Sequence, residues 1–483
     1  MKKLIILCLL VCGLCGCSNH NGSIIIKNKE KIKLKDDILS ISQIWNIGLQ
    51  YSPFWGEDKL KKWNDGYVQA ISDLSMISNE YDKLVIEQKL LSLLDDGHAI
   101  IFPNDEVKKH VGFLPYKFDF FQGKYYIISK VGENNIPIGS EIVTIEGMSA
   151  KDYINLYMKP LIPVKTKGAI DSEAIKRLEY GEIGTSIEME IVKPSFNNKE
   201  TVKMNYYIGY NDYDKYDFKS PKKLTTKKFN KIYNSDNYTL LQIEEGKYYI
   251  KIKSFFDNNM IFEFENNIYP FLKNSSDIIL DVRENNGGNS ENGKLILTKI
   301  FGLELKDEIG YVQKKDNYLV SIASIQSVTT TMPITTTIEE VEKGLKMMGN
   351  QYLEEIDLDT NNKIMTKLEP IYFQGKAFVL SSYKSGSAVD DFLAYCKQIK
   401  NIEIIGTNSR GATGMIGMFP LSNESIVSLS IFNVKTYDEQ NIQNIGIIPN
   451  ILVEPSIEDY VKGKDTQLEY VLNYIKKGDY SEN

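Results

Sequence analysis

The spacing of apolar residues changes several times along the chain, and each change marks a different kind of structure. From 36 to 96 the apolar positions recur at helical intervals. Leu84, Leu91 and Leu94 share one face of the segment Asn79–Asp96 at steps of seven and three. Asp95-Asp96-Gly97 closes that pattern, with Gly97 suited to a helix-terminating turn, so His98 is expected just past a helix end. Between 111 and 205 the runs shorten and become β-rich, as in Lys124–Ile128. Residues 206–238 are rich in Lys, Asp, Asn and Tyr without periodicity and predict a linker. From 239 to 456 strand-like and helix-like segments alternate, which predicts an α/β core. A long insertion at about 306–370 interrupts it, with a Thr-rich run, Thr329–Thr337, and an acidic helix-like part, 338–355. Ile457, Val461, Leu468, Val471, Leu472 and Ile475 predict an amphipathic final helix within 457–483. Gly-Lys-Tyr-Tyr-Ile occurs at 123–127 and 246–250 and predicts two similar strand starts.

The first residues follow another pattern. Lys2 and Lys3 precede an apolar run, Leu4–Val11, too short to span a bilayer permanently but suited to a signal peptide. Leu14-Cys15-Gly16-Cys17 resembles a bacterial lipoprotein cleavage box. That resemblance implies a leader at 1–16, a lipidated Cys17, a polar tether at 17–35 and an extracytoplasmic, membrane-anchored protein. An ordinary secretory leader is the alternative. Four of the five cysteines fall in or at the end of this leader. Only Cys396 remains, among the apolar positions of a predicted helix, so neither an internal disulfide nor a cysteine metal site is expected.

Composition narrows the partners. The chain has 483 residues, 42% hydrophobic and 25% charged, with room for several domains. Its net charge is −7, and loss of a leader carrying two lysines makes it more acidic still. An acidic chain lacks the basic footprint that phosphate contacts need, so nucleic acid is not an expected partner.

Candidate chemistry centres on a strand–turn–helix. Ala377–Leu380 reads as a buried strand, Ser381–Gly386 as a turn, and Ala388–Lys400 as a helix, with Ser387 at the junction. A serine there is either a helix N-cap or a nucleophile beside free N–H groups. Gly287-Gly288, after the apolar strand Asp277–Val282, reads locally as a tight turn.

Four segments then change the picture: Ser385–Asp390, Asp277–Gly288, Ile404–Gly411 and Gly446–Val453. In this order they resemble the tail-specific (carboxyl-terminal processing) serine protease family. The segment Ile136–Gly147 resembles the hairpin of PDZ domains, with Ser140 and Glu146 where Asp and Asn are usual. The resemblance implies a crotonase/ClpP-like α/β protease core at 239–456. An N-terminal helical domain at 36–110, carrying His98, and a β-rich PDZ-like domain at 111–205 would precede it. One branch of the family uses a lysine base 25 residues after the serine; here that position is Ala412. The tricorn-like, retinoid-binding-protein-like branch uses an upstream histidine in a motif like Leu93–His98, and the chain has only three histidines. The resemblance thus implies Ser387 as nucleophile and His98 as general base, with Gly287 or Gly288 and Ala388 as oxyanion donors. Where that branch carries a glutamate helper this chain has Gln443, with Glu439 nearby as a substitute. Asp95 and Asp96 are placed either to orient His98 or as exposed helix-end charge. Neither metal nor cofactor is expected. The implied activity is hydrolysis of peptides or unfolded protein tails at the cell surface or in the periplasm. A catalytically impaired lipoprotein that binds peptides or apolar ligands is the alternative.

Overall fold

A computed structural model describes residues 23–194, 196, 198–257, 259–312, 354–356 and 369–477. The leader, Cys17 and most of the 306–370 insertion, including Thr329–Thr337, lie outside the described residues.

The largest core is built on a seven-stranded sheet. Its order is Asn230–Asn234, Tyr238–Glu244, Lys247–Ile252, Asp277–Asp281, Lys376–Ser381, Ile402–Gly406, Ile451–Leu452. The first two pairings are antiparallel and the rest parallel. Asp277–Asp281 is buried at every position, as expected of a parallel strand covered on both faces. Helices Met260–Asn267, Ser290–Phe301 and Ala388–Cys396 cover one face. On the other lies Thr466–Lys477, through Leu468, Val471, Leu472 and Ile475. Asp281 and Ile405 both pair with Leu380, so three parallel strands end level. Their carboxyl ends, where open α/β sheets place ligands, lead into Gly287-Gly288, Ser387 and the 407–413 loop.

The N-terminal helices are Ser23–Tyr51, Glu57–Asp73 and Glu80–Ser92. Asn79 caps the third, accepting from the Asp82 N–H at 2.9 Å. These helices share a core with the hairpin Ile416–Pro420/Ile426–Ser430, through Phe419, Val427 and Leu429. The strand Ile100–Phe102 pairs antiparallel with Ile426–Ser430, stapling the residues after His98 to the main domain. A second seven-stranded sheet is centred on Lys124–Val131, Glu141–Ile145, Ser186–Val192 and Lys199–Asn205, with helix Ala169–Lys176 packed against it.

Several expected boundaries move. The 206–238 stretch is not merely a linker: Ile208–Gly209 pairs with Val111–Phe113, and Asn230–Asn234 is the edge strand of the main sheet. The helix Ser23–Tyr51 takes in most of the expected 17–35 tether. Gly97 does not terminate its helix; Asp95 adopts the left-handed conformation there, at φ 47°. The terminal helix is two, Ile457–Val461 and Thr466–Lys477, separated around Gly463 at φ 71°. Of the expected acidic helix, Glu354–Ile356 is a strand paired with Ile309–Val312, and the remainder lies outside the described residues.

One ion cluster ties the catalytic-side loop to the C-terminal helix. Arg283 donates to both oxygens of Asp281 and both oxygens of Asp465, at 2.6–2.9 Å. Burial works to raise the Asp281 carboxyl, yet the Arg283 guanidinium holds it well below the usual range. Arg283→Met leaves that buried carboxylate unpaired and should cost about 3–5 kcal/mol, read by urea unfolding. A loss within the error of the measurement would show the cluster to be dispensable.

Candidate active site

Ser387 sits on a sharp strand-to-helix turn with φ 59° and ψ −131°, a conformation that costs a non-glycine residue about 1–3 kcal/mol. Its surroundings hold it there. Its N–H donates to the Ala412 carbonyl at 2.7 Å, its carbonyl accepts from Asp390 N–H at 2.7 Å, and Arg410 N–H donates to the Ser385 carbonyl at 2.7 Å. A side chain on Gly386 would begin 2.8 Å from Arg410 Cβ, so the turn is pressed against the 409–413 loop. Ser387 makes no side-chain cap hydrogen bond, although it occupies the N-cap position.

The two acidic residues in the first turn of the following helix face inward. Asp390 accepts from Ser409 Oγ at 2.5 Å, Gly411 N–H at 3.1 Å and Ala412 N–H at 3.0 Å. Asp391 accepts from Ser290 Oγ and Thr413 Oγ1, both at 2.5 Å. Burial pushes the Asp390 carboxyl up to about 6 despite these donors. Together they fold the 409–413 loop beneath the serine.

The Gly287-Gly288 loop closes the other side. A Cβ on Gly287, at φ 96°, would lie 2.7 Å from Ser387 Cβ and 3.1 Å from Ala388 N, so only glycine permits this approach. The Gly287 N–H already donates to Asn285 Oδ1 at 2.8 Å. Among the described residues the N–H groups of Gly288 and Ala388 have no acceptor.

His98 arrives from the N-terminal domain. Gly97 lies against Ala412: a Cβ on Gly97 would be 2.5 Å from that of Ala412, whose carbonyl holds Ser387. The imidazole is partly exposed, and its Nδ1 lies 2.9 Å from Ser430 Oγ. Among the described residues no hydrogen bond joins it to Ser387 Oγ; such contacts are often long before substrate binds. Burial lowers the His98 basicity, the Asp96 carboxylate opposes that, and the Arg410 guanidinium adds to it.

Residues 248–453 match the model of peptidase family S41, under half of the chain. This segment is a peptidase family S41 domain. The family is one of serine peptidases, so the matched segment supports a serine-peptidase hydrolase domain within the chain. No curated protein matches the chain. Among solved structures it is similar in fold to mature CPAF, at 17% identity and a TM-score of 0.64, over 92% of this chain and 97% of that one. Mature CPAF complexed with lactacystin gives 17% identity and a TM-score of 0.64, over 92% of this chain and 98% of that one.

The S41 domain contains Ser387, Gly287, Gly288, Ala388, Glu439 and Gln443, whereas His98 lies outside the matched span. The two candidate helpers are placed differently. Glu439 is exposed, at φ 64° in a turn closed by Thr436 and Gln440. Gln443 donates through Nε2 to the Asp95 carbonyl at 3.2 Å, while its Oε1 is buried without a partner. It braces the backbone before His98 and, among the described residues, makes no hydrogen bond to the ring. Ser430 escapes sequence reasoning altogether. Its signal is a buried polar residue inside the apolar strand Ile426–Ser430, where a hydroxyl requires a partner.

The β-rich domain also grips the S41 domain beside the serine. Tyr383 Oη donates to the Phe120 carbonyl at 3.0 Å, Lys384 pairs with buried Asp119, and Thr166 Oγ1 donates to the Arg410 carbonyl at 2.5 Å. Arg410 also pairs with Glu173 at 3.2 Å. A cavity of about 430 Å³ opens beside this contact, with Ile100, Phe113, Tyr180, Tyr210, Glu173 and Arg410 in its wall.

Proposed function

We propose that the chain is an exported serine endopeptidase in which Ser387 is the nucleophile and His98 the general base. What carries the reading is one convergence: the strained Ser387 turn is met on one side by the Gly287-Gly288 loop and on the other by Ala412, against which the His98 loop rests. His98 takes the Ser387 hydroxyl proton as Oγ attacks the scissile carbonyl. The N–H groups of Gly288 and Ala388 receive the developing oxyanion, each such donor lowering the barrier by ~3 kcal/mol. His98 returns the proton to the leaving amine, and water, activated by the same imidazole, releases the acyl group as a carboxylic acid. The catalytic sheet is read as crotonase/ClpP-like and the β-rich domain as PDZ-like, presenting an extended peptide to the serine. The cavity beside Arg410 is suited to a substrate side chain.

Three tests bear on this. A fluorophosphonate probe should label the purified protein, Ser387→Ala should abolish labelling, and His98→Ala should slow it at least 10²-fold. Undiminished labelling in either variant overturns the pair, and an unlabelled wild type favours a peptide-binding member of the fold without turnover. Because His98 is held below the ordinary imidazole value of 6.5, it stays neutral, and so competent as a base, into mildly acidic solution. The acid limb of kcat/KM against pH should accordingly fall below 6.5; a limb above it contradicts the proposed environment.

Export and anchoring rest on the sequence at Lys2–Cys17. Lipidation at Cys17 supplies acyl chains enough for stable membrane attachment. Labelled palmitate should enter the wild-type protein in its host and not Cys17→Ala; equal incorporation in both removes the anchor.

A further inference from the structure

The base needs an orienting group, and among the described residues neither expected helper hydrogen-bonds to it. Gln443 spends its amide on the Asp95 carbonyl and Glu439 faces solvent. Among the described residues, the group that meets the His98 ring is Ser430, through Oγ at 2.9 Å from Nδ1. Ser430 Oγ is 2.8 Å from Asp96 Oδ1, and its backbone N–H donates to Asp96 Oδ2 at 2.6 Å. The His98 N–H donates to Asp96 Oδ1 at 3.0 Å. Both Asp96 and Ser430 are fully buried.

Counting donors fixes the direction of the chain. Asp96 faces two backbone N–H groups and one hydroxyl, so it accepts at every contact. The Ser430 hydroxyl has one proton, and the carboxylate is its strongest nearby acceptor. With that proton committed to Asp96, Ser430 Oγ presents only lone pairs to the imidazole. The ring must then donate from Nδ1, which leaves the lone pair on Nε2. Asp95, by contrast, turns outward toward Lys59 and Lys165, at 3.8 and 3.7 Å.

We infer that Ser430 and Asp96 are the positioning residues of this peptidase, a hydroxyl-bridged carboxylate that sets the His98 tautomer in place of a direct acidic partner. The inference rests on His98 being the base. It adds what selects the reactive nitrogen: Asp96 holds the His98 backbone N–H and the Ser430 hydroxyl, and Ser430, far along the chain, meets the ring. When His98 takes the serine proton, the imidazolium donates from Nδ1 to Ser430 Oγ, and the Asp96 charge stabilises it through the hydroxyl. In that step the proton passes from Ser387 Oγ to Nε2 as Oγ bonds to the carbonyl carbon and the carbonyl π pair moves to oxygen; no covalent bond of Ser430 or Asp96 is broken.

The scarcity of histidine makes the tautomer measurable, since only His20, His98 and His110 would report. In protein grown with ring-nitrogen-15 histidine, His98, assigned by its loss in His98→Gln, should be Nδ1-protonated with a bare Nε2 when neutral. Ser430→Ala should shift it toward the Nε2-protonated form and lower kcat about 10²-fold with KM within twofold. Ser430→Thr, which restores a hydroxyl, should recover both. An Nε2-protonated His98 in the wild type overturns the relay, and so does an unchanged tautomer in Ser430→Ala. Should Ser430→Ala fail to fold, the wild-type spectrum alone decides. Failure of the peptidase reading is separately visible, as a wild-type protein with the expected tautomer that no fluorophosphonate labels.

Discussion

Everything at this site depends on the amide and methyl of Ala412. Its N–H donates to Asp390, its carbonyl accepts from Ser387, and its methyl rests against Gly97. One residue thus fixes the strained backbone of Ser387 and sets how closely the His98 loop approaches. The contact is tight enough that a single added carbon on Gly97 would overlap it. A Ser–Lys peptidase of this family would carry its lysine at this position. Here that position is packed against the loop that carries His98.

The charged groups around this contact are buried in pairs and clusters. Asp390 and Asp391 stand at a helix N-terminus, where negative charge is favoured, and use that setting to fold a loop. Arg410 lays its stem over Gly386 and its guanidinium on Glu173, so it links the serine turn to the β-rich domain. Asp119 and Lys384 repeat the arrangement nearby. These pairs add little as isolated ion pairs. Their effect is to specify how two domains meet, because each would be left uncompensated in another arrangement.

Much of this was legible in the sequence, and the limits have physical causes. The apolar run Ile278–Leu280, the Gly287-Gly288 pair and the serine at a helix start are local patterns, and local patterns survive in one dimension. The final helix was visible in its spacing, but its break at Gly463 was not. The 206–238 stretch failed because an edge strand such as Asn230–Asn234 needs only one buried face, so its composition resembles a loop. Gly97 looked like a helix cap; its glycine is required by Ala412, 315 positions away. Ser430 carries no local signal for its partners, because Asp96 and His98 reach it only through the pairing of Ile100–Phe102 with Ile426–Ser430.

That pairing has a consequence for how the protein comes into being. His98 is made early and Ser430 lies 332 residues later, so their contact belongs to the most non-local class in the fold. Contacts closed across such distances carry a large loop entropy and tend to form late. A chain still emerging from the ribosome has His98 without the strand that carries Ser430. On the proposed reading, hydrolysis therefore waits for the finished tertiary structure, and the chain is spared its own chemistry while it is most easily cut.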